Sequence, residues 1–301
     1  MITIKTEAEI EKMYVSGQML GKVLAALRKE IHEGVTTLQL DRMAEDMIRS
    51  MGAVPSFKDY HGFPYTICAS LNETVVHGFA NDKPLESGQL LSIDCGLVYD
   101  GWQADSAFSV GIGEVSSEVQ KLMDVTEECF WKAVEVVKPG NRLGDIGNAV
   151  QTHAEAHGYG VFRDMCGHGI GREMHEDPNV PNYGRAGHGI RLREGMTIAI
   201  EPMIALGDYH IRILKDGWTC VTRDGSFCSH YEHTIAVTDK GARFLSLPEE
   251  SALTNGHWKL GGLPFPAVGA MRAARCSSSR NWMPILSVWR MAGIAKWHVQ
   301  R

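Results

Sequence analysis

Apolar residues recur at helical spacing through the first fifty positions. Ile10, Met13, Leu20, Leu24, Leu27 and Ile31 form one stripe, opened by a Thr6–Glu9 capping box and expected to stop at Gly34. A second stripe (Leu40, Met43, Met47, Ile48, Met51) predicts a helix from about 38 to 51, ended by Gly52. The texture then turns β-like in YTICAS, TVVHGF, QLLSIDCGLVYDGW and AFSVGI. Ser117 with Gln120 predicts the start of a third helix running to about Lys138-Pro139-Gly140. A fourth is expected from about Leu143 to His157, and strands and loops follow to about Leu245.

This order of two helices followed by strands occurs twice. When the halves are slid over one another, Gly34 falls on Gly140 and Gly52 on Gly158. One residue further on, His61-Gly62 falls on His168-Gly169, Gly88 on Gly195, and Asp94 on Glu201. Glycine matches arise easily by chance, but acidic residues at the same point after a glycine turn do not. The reading is an internal duplication, about 1–110 and 111–245, with a site where the halves join.

Composition adds a boundary. The 301 residues carry a net charge of -6, yet positions 251–301 hold seven Lys or Arg, four of the seven Trp and no acidic residue. The body before them is strongly acidic, which argues against a nucleic-acid binder. Residues 1–248 are therefore read as one domain and 249–301 as a basic, Trp-rich, poorly ordered extension. The N-terminus has no apolar signal region, and no run approaches eighteen apolar residues, so neither secretion nor a membrane helix is expected. Seven cysteines, an odd number without a Cys-x-x-Cys pair, fit reduced thiols and a cytoplasmic setting.

Against this background five residues stand at the edges of β-like runs: Asp94 (LLSIDCG), Asp105 (GWQADSA), His168 (CGHGIGREMHEDP), Glu201 (TIAIEPMI) and Glu232 (SHYEHTIAV). Either Asp alone is equally well read as a turn cap, and a lone His as a hydrogen-bonded core residue. Together, four carboxylates and one imidazole can balance two divalent cations, and the oxygen-rich set suits manganese, iron, cobalt or zinc. Pro202 biases Glu201 toward extended geometry.

The set GHGIG around His168, EPM from Glu201 and EHT from Glu232, in the ligand order Asp, Asp, His, Glu, Glu, resembles methionine aminopeptidase of type I over roughly residues 1–245. The resemblance implies the pita-bread α/β (α+β) fold, a mixed and mainly antiparallel sheet flanked by helices. It implies two divalent ions held by Asp94, Asp105, His168, Glu201 and Glu232. It also implies hydrolytic removal of the N-terminal methionine from nascent polypeptides, preferentially before a small second residue. Glu201 would move the proton, while His77 and His175 would steady the intermediate and contact substrate. Tyr60, Phe63, Cys68, Met174 and Trp218 map onto the methionine pocket; Met174 and Phe63 depart from the pattern expected of bacterial members. His61 and His233 are read as structural or orienting. A monomer is implied, and a transient ribosome contact is conceivable. Two rivals remain: a prolidase or aminopeptidase P on the same fold, and a binding protein that has lost catalysis.

Overall fold

Side-chain caps decide where the helices begin. In the computed structural model, which describes residues 1–248, Thr6 and Glu9 cap each other's backbone and start α1 (Glu7–Glu30). The expectation for 249–301 lies outside the described residues. α1 ends at Glu30, four residues before Gly34, because Ile31 is already extended; Gly34, at φ 88°, makes the turn that follows. Thr36 and Gln39 form a second capping box at α2 (Thr37–Ser50). α3 (Ser117–Glu135) is capped by Ser116, whose hydroxyl accepts from Val119 N–H, one residue before the expected start; α4 covers Leu143–Ala156.

The strands of the first half are β1 (Val54–Pro55), β2 (Ile67–Leu71), β3 (Thr74–Val76), β4 (Leu90–Tyr99) and β5 (Trp102–Gly111). Those of the second are β6 (Gly160–Val161), β7 (Cys166–Gly169), β8 (Glu176–Pro181), β9 (Thr197–Ile200), β10 (Met203–Ala205), β11 (Ile211–Ile213), β12 (Cys220–Thr222), β13 (Cys228–His230), β14 (Glu232–Thr238) and β15 (Gly241–Phe244). Nine of them form one sheet in the order β1-β4-β5-β14-β9-β7-β8, with β2 also on β4 and β15 on β14. Every pairing in it is antiparallel. Two small sheets, β13-β10-β6 and β11-β12-β3, complete the fold.

Strand periodicity divides the sheet into a helix face and an open face. Ile93, Cys95, Leu97, Ala104 and Phe108 bury against Leu20, Leu24, Leu27, Leu40 and Ile48 of α1 and α2. Ile198, Ile200, Ile235 and Val237 bury against Leu122, Phe130, Ile146 and Val150 of α3 and α4. These apolar positions fix the register, since a slip of one residue would turn them away from the helices. The alternate positions, Asp94, Asp105, Ala107, Ala199, Glu232 and Thr234, are thereby committed to the other face.

Candidate metal centre

Cross-strand register assembles the carboxylates. Cys68 pairs with Asp94, Asp94 with Ala107, and Ala107 with Glu232, a row across β2, β4, β5 and β14 on one face. Asp105 lies two residues from Ala107 and shares that face. Its backbone is fastened to β14 by Thr234, whose hydroxyl donates to Asp105 O at 2.8 Å and accepts from Asp105 N–H at 3.2 Å. Ala107 places only a methyl between Asp94 and Glu232 in this row.

β7 and the end of β9 close the far side. Glycines flank His168 because neighbouring strands press close: a Cβ at Gly167 would strike the Ala199 carbonyl, and one at Gly169 the Asp177 carbonyl. His168 Nδ1–H donates to the Gly169 carbonyl at 2.9 Å, which fixes the tautomer and leaves Nε2 as the lone-pair nitrogen. That Nε2 stands 3.7 Å from both Asp105 Oδ2 and Glu201 Oε1. Glu201 follows β9 and is anchored by Asn182, whose amide donates to its carbonyl at 2.8 Å.

The charge state follows from depth. Asp105 and Glu232 are almost fully buried. Burial raises the Asp105 carboxyl to about 7, against hydrogen bonds from Asp94 and Ser106 N–H that lower it. Burial, and then the neighbouring Asp105, push Asp94 well above the usual carboxylate range. Glu232 is raised likewise by burial and by the charges of Asp105 and Glu201; Glu201 is raised by burial despite the nearby His168. Four carboxylates here cannot all ionise without a counter-charge.

Four buried atoms of this cluster have no hydrogen-bond partner among the described residues: Asp94 Oδ1, Asp105 Oδ1, Glu232 Oε1 and His230 Nε2. Each unmet group costs about 1–3 kcal/mol, and all four belong to one wall. Donor atoms of Asp105, His168 and Glu232 lie within 4.8 Å of one another, as do those of Glu201, His230 and Glu232. Donors bonded to a common ion at about 2.0–2.2 Å sit roughly 3–4 Å apart. The residues therefore fit divalent cations, and oxygen donors with imidazole suit first-row transition metals.

All five expected ligands thus come together, with one addition the sequence reading passed over. His230 lies two residues before Glu232, the spacing that returns a strand side chain to the same face, and this is the signal that could have revealed it. His233 points the other way: its ring meets the Ser106, Ser246 and Tyr231 hydroxyls, as befits a structural residue.

The remaining expected residues surround the cluster. His175 packs on His168 with ring centroids 4.4 Å apart, and its Nδ1 meets the Tyr60 hydroxyl at 3.0 Å. His77 is buried at a left-handed φ of 58°, a conformation that costs a histidine energy, and burial lowers its pKa to about 4. Tyr60, Phe63, Cys68, Met174 and Trp218 share one apolar cluster, in which Phe63 meets Trp218 edge-on at 5.2 Å. Gly96, opposite Asp105, makes room for the Met174 methyl, which a Cβ would meet at 2.8 Å. The Cys68 thiol beside Asp94 is pushed well above its usual range by burial, so it is no nucleophile.

The chain matches metallopeptidase family M24 over residues 11–239. It is similar to the methionine aminopeptidase of Clostridium acetobutylicum, with 50% identity over 250 residues, 83% of this chain and 100% of the relative. The crystal structure of methionine aminopeptidase from Rickettsia prowazekii superposes with a TM-score of 0.81 at 43% identity, covering 82% of this chain and 100% of that one. The prolidase from Pyrococcus horikoshii gives a TM-score of 0.66 at 29% identity over 82% of this chain and 64% of that chain. With its carboxylate–imidazole cluster lying on the sheet these proteins share, the chain belongs to metallopeptidase family M24 and, within it, to the methionine aminopeptidases.

Proposed function

We propose that this protein removes the N-terminal methionine from nascent proteins and peptides, preferring a small second residue, with two divalent ions (cobalt, manganese, iron or zinc) held by Asp94, Asp105, His168, Glu201 and Glu232. The observation that carries the reading is the row Cys68–Asp94–Ala107–Glu232, which sets a sulfur-and-aromatic pocket directly beside the acidic cradle. Two donor groups that share Glu232 support a pair of ions rather than one. When bound, such ions supply Lewis acidity and a water acidic enough to deprotonate near neutral pH.

The chain's own groups do the rest. Glu201, whose side chain is 12% exposed against 4% for Asp105 and 2% for Glu232, is placed to take a proton from water and pass it to the leaving amine. His175, held by the Tyr60 hydroxyl at Nδ1 and packed on His168, is the imidazole that steadies the intermediate. His77 stays neutral at cellular pH, so it hydrogen-bonds the substrate peptide without adding charge. Phe63, Trp218 and Met174 give the pocket its shape. A sulfur–aromatic contact contributes only about 0.3–1.5 kcal/mol, so selectivity for methionine rests on fit.

The symmetric strand order about the β5/β14 seam and the matched places of Asp94 and Glu201 support a duplicated unit, about 1–110 and 111–245, with the site at its junction. We place the protein in the cytoplasm as a monomer acting on emerging chains, in transient contact with the ribosome. Among the described residues no helix is long and apolar enough to cross a membrane.

The test is turnover of Met-Ala-Ser under metal titration, set against Xaa-Pro dipeptides. Asp94→Asn and Glu232→Gln are expected to lower kcat/KM at least about 100-fold, since each removes a ligand charge. Undiminished turnover in either variant, or preference for Xaa-Pro, would overturn the assignment.

A further inference from the structure

One imidazole in the cradle has no role in the reaction described above. His230 closes β13 and is 2% exposed, and its backbone is clamped: N–H donates to Ser109 Oγ at 3.1 Å while its carbonyl accepts from that hydroxyl at 2.9 Å. Its Nε2 is buried without a hydrogen-bond partner among the described residues. The nearest acidic oxygens are Glu201 Oε2 at 3.7 Å and Glu232 Oε2 at 3.8 Å. Those distances exceed the roughly 2.7–3.2 Å of a hydrogen bond. They match the spacing of atoms that share an ion, roughly 3–4 Å. His168 Nε2 shows the same pattern, 3.7 Å from Asp105 and 3.7 Å from Glu201.

We propose that Nε2 of His230 is a second imidazole donor to the divalent-metal pair, joining Glu201 and Glu232 as His168 joins Asp105 and Glu232. The inference rests on the two-ion reading and adds to it. A centre with one imidazole per ion has softer, more balanced sites than a centre with a single nitrogen. Such a centre favours cobalt, iron or zinc over manganese at both positions, because imidazole suits those metals while carboxylate and water suit manganese.

Full-length protein loaded with Co(II) alone provides the test, with X-ray absorption counting imidazoles per metal and calorimetry giving the affinity of each site. Wild type is expected to show two imidazoles per metal pair. His230→Gln is expected to show one, with one of the two sites weakened by more than about 10-fold, since even residues outside the ligand shell cost 10–100-fold when removed. His168→Gln, which leaves His230 in place, is expected to keep one imidazole; this arm decides the matter should His230→Gln fail to fold. One imidazole per pair in wild type, or unchanged affinity in folded His230→Gln, overturns the inference and leaves the two-ion reading intact. A wild-type chain that binds no Co(II) overturns both.

Discussion

Asp105 is the residue through which metal loading senses pH. Its carboxyl is raised to about 7 by burial, while Asp94, Glu201 and Glu232 are raised well beyond the usual range. A carboxylate must shed its proton to bind a cation, so loading releases protons. Near pH 6 Asp105 is mostly protonated and near pH 8 mostly ionised. The buried His77 and His230, lowered to about 4 and about 3, are neutral throughout and contribute nothing. The share of released protons that Asp105 supplies should therefore fall by about one between pH 6 and pH 8. Calorimetry in buffers of different ionisation enthalpy measures this, and affinity should rise with pH over the same range. In Asp105→Asn that share is absent, so the release should change less between the two pH values than in wild type; an equal change in both proteins would refute the assignment.

At the scale of elements, the β5–β14 seam has few backbone bonds, and a side chain substitutes for them. Only Glu232–Ala107 and His233–Ser106 are in ladder register; at the next step Thr234 Oγ1 serves both Asp105 N–H and Asp105 O. Thr234→Val keeps the shape and leaves two buried backbone groups unmet, at about 1–3 kcal/mol each. Urea unfolding should show a loss of about 2–6 kcal/mol, and Thr234→Ser, which retains the hydroxyl, should recover most of it. Equal stability of the Val and wild-type proteins would mean that the strand rebuilds its bonds another way. Much of this was legible in advance. Asp94 and Asp105 sit in one hairpin whose period of two is written in the sequence, and glycines announce the tight approach at His168. What escaped is what depends on strand ends. His230 and Glu232 share a face, yet they belong to β13 and β14, in different sheets. The sequence points to Ser117 at the start of α3 where the structure has Ser116 as the cap, because adjacent serines offer the same chemistry and only backbone geometry chooses. The pocket draws Tyr60 from a 3-10 turn, Cys68 from β2, and Met174 and Trp218 from loops, so no periodicity could assemble it.

For the molecule as a whole, the cluster lies across the β5–β14 seam, and stability should follow its occupancy. Asp94 and Asp105 lie on β4 and β5, His168 and Glu232 on β7 and β14, and Glu201 follows β9, so a bound cation links strands on both sides of the seam. A ligand that binds only the folded chain stabilises it by about 2.7 kcal/mol at a hundred times its dissociation constant. For a domain of this size each kcal/mol moves Tm by about 2–4 °C, so loading should raise Tm by roughly 5–10 °C over chelator-treated protein. The gain should also depend on pH, and its sign can be fixed. Asp105 has a folded-state value of about 7 against 3.8 for the ordinary carboxyl, so its favourable contribution to the metal-free fold is complete below 3.8 and is lost as pH climbs through 7. His77, His230 and His233, all lowered by burial, act in the opposite sense, but only below the ordinary histidine value of 6.5. Between pH 6.5 and pH 8 the carboxylate therefore governs, and metal-free protein should lose Tm while loaded protein does not. Thermal scans of both forms across that interval would show the gap widening with pH. A gap that is absent, or that narrows as pH rises, would mean the buried carboxylates meet their counter-charge from the protein itself and not from a cation.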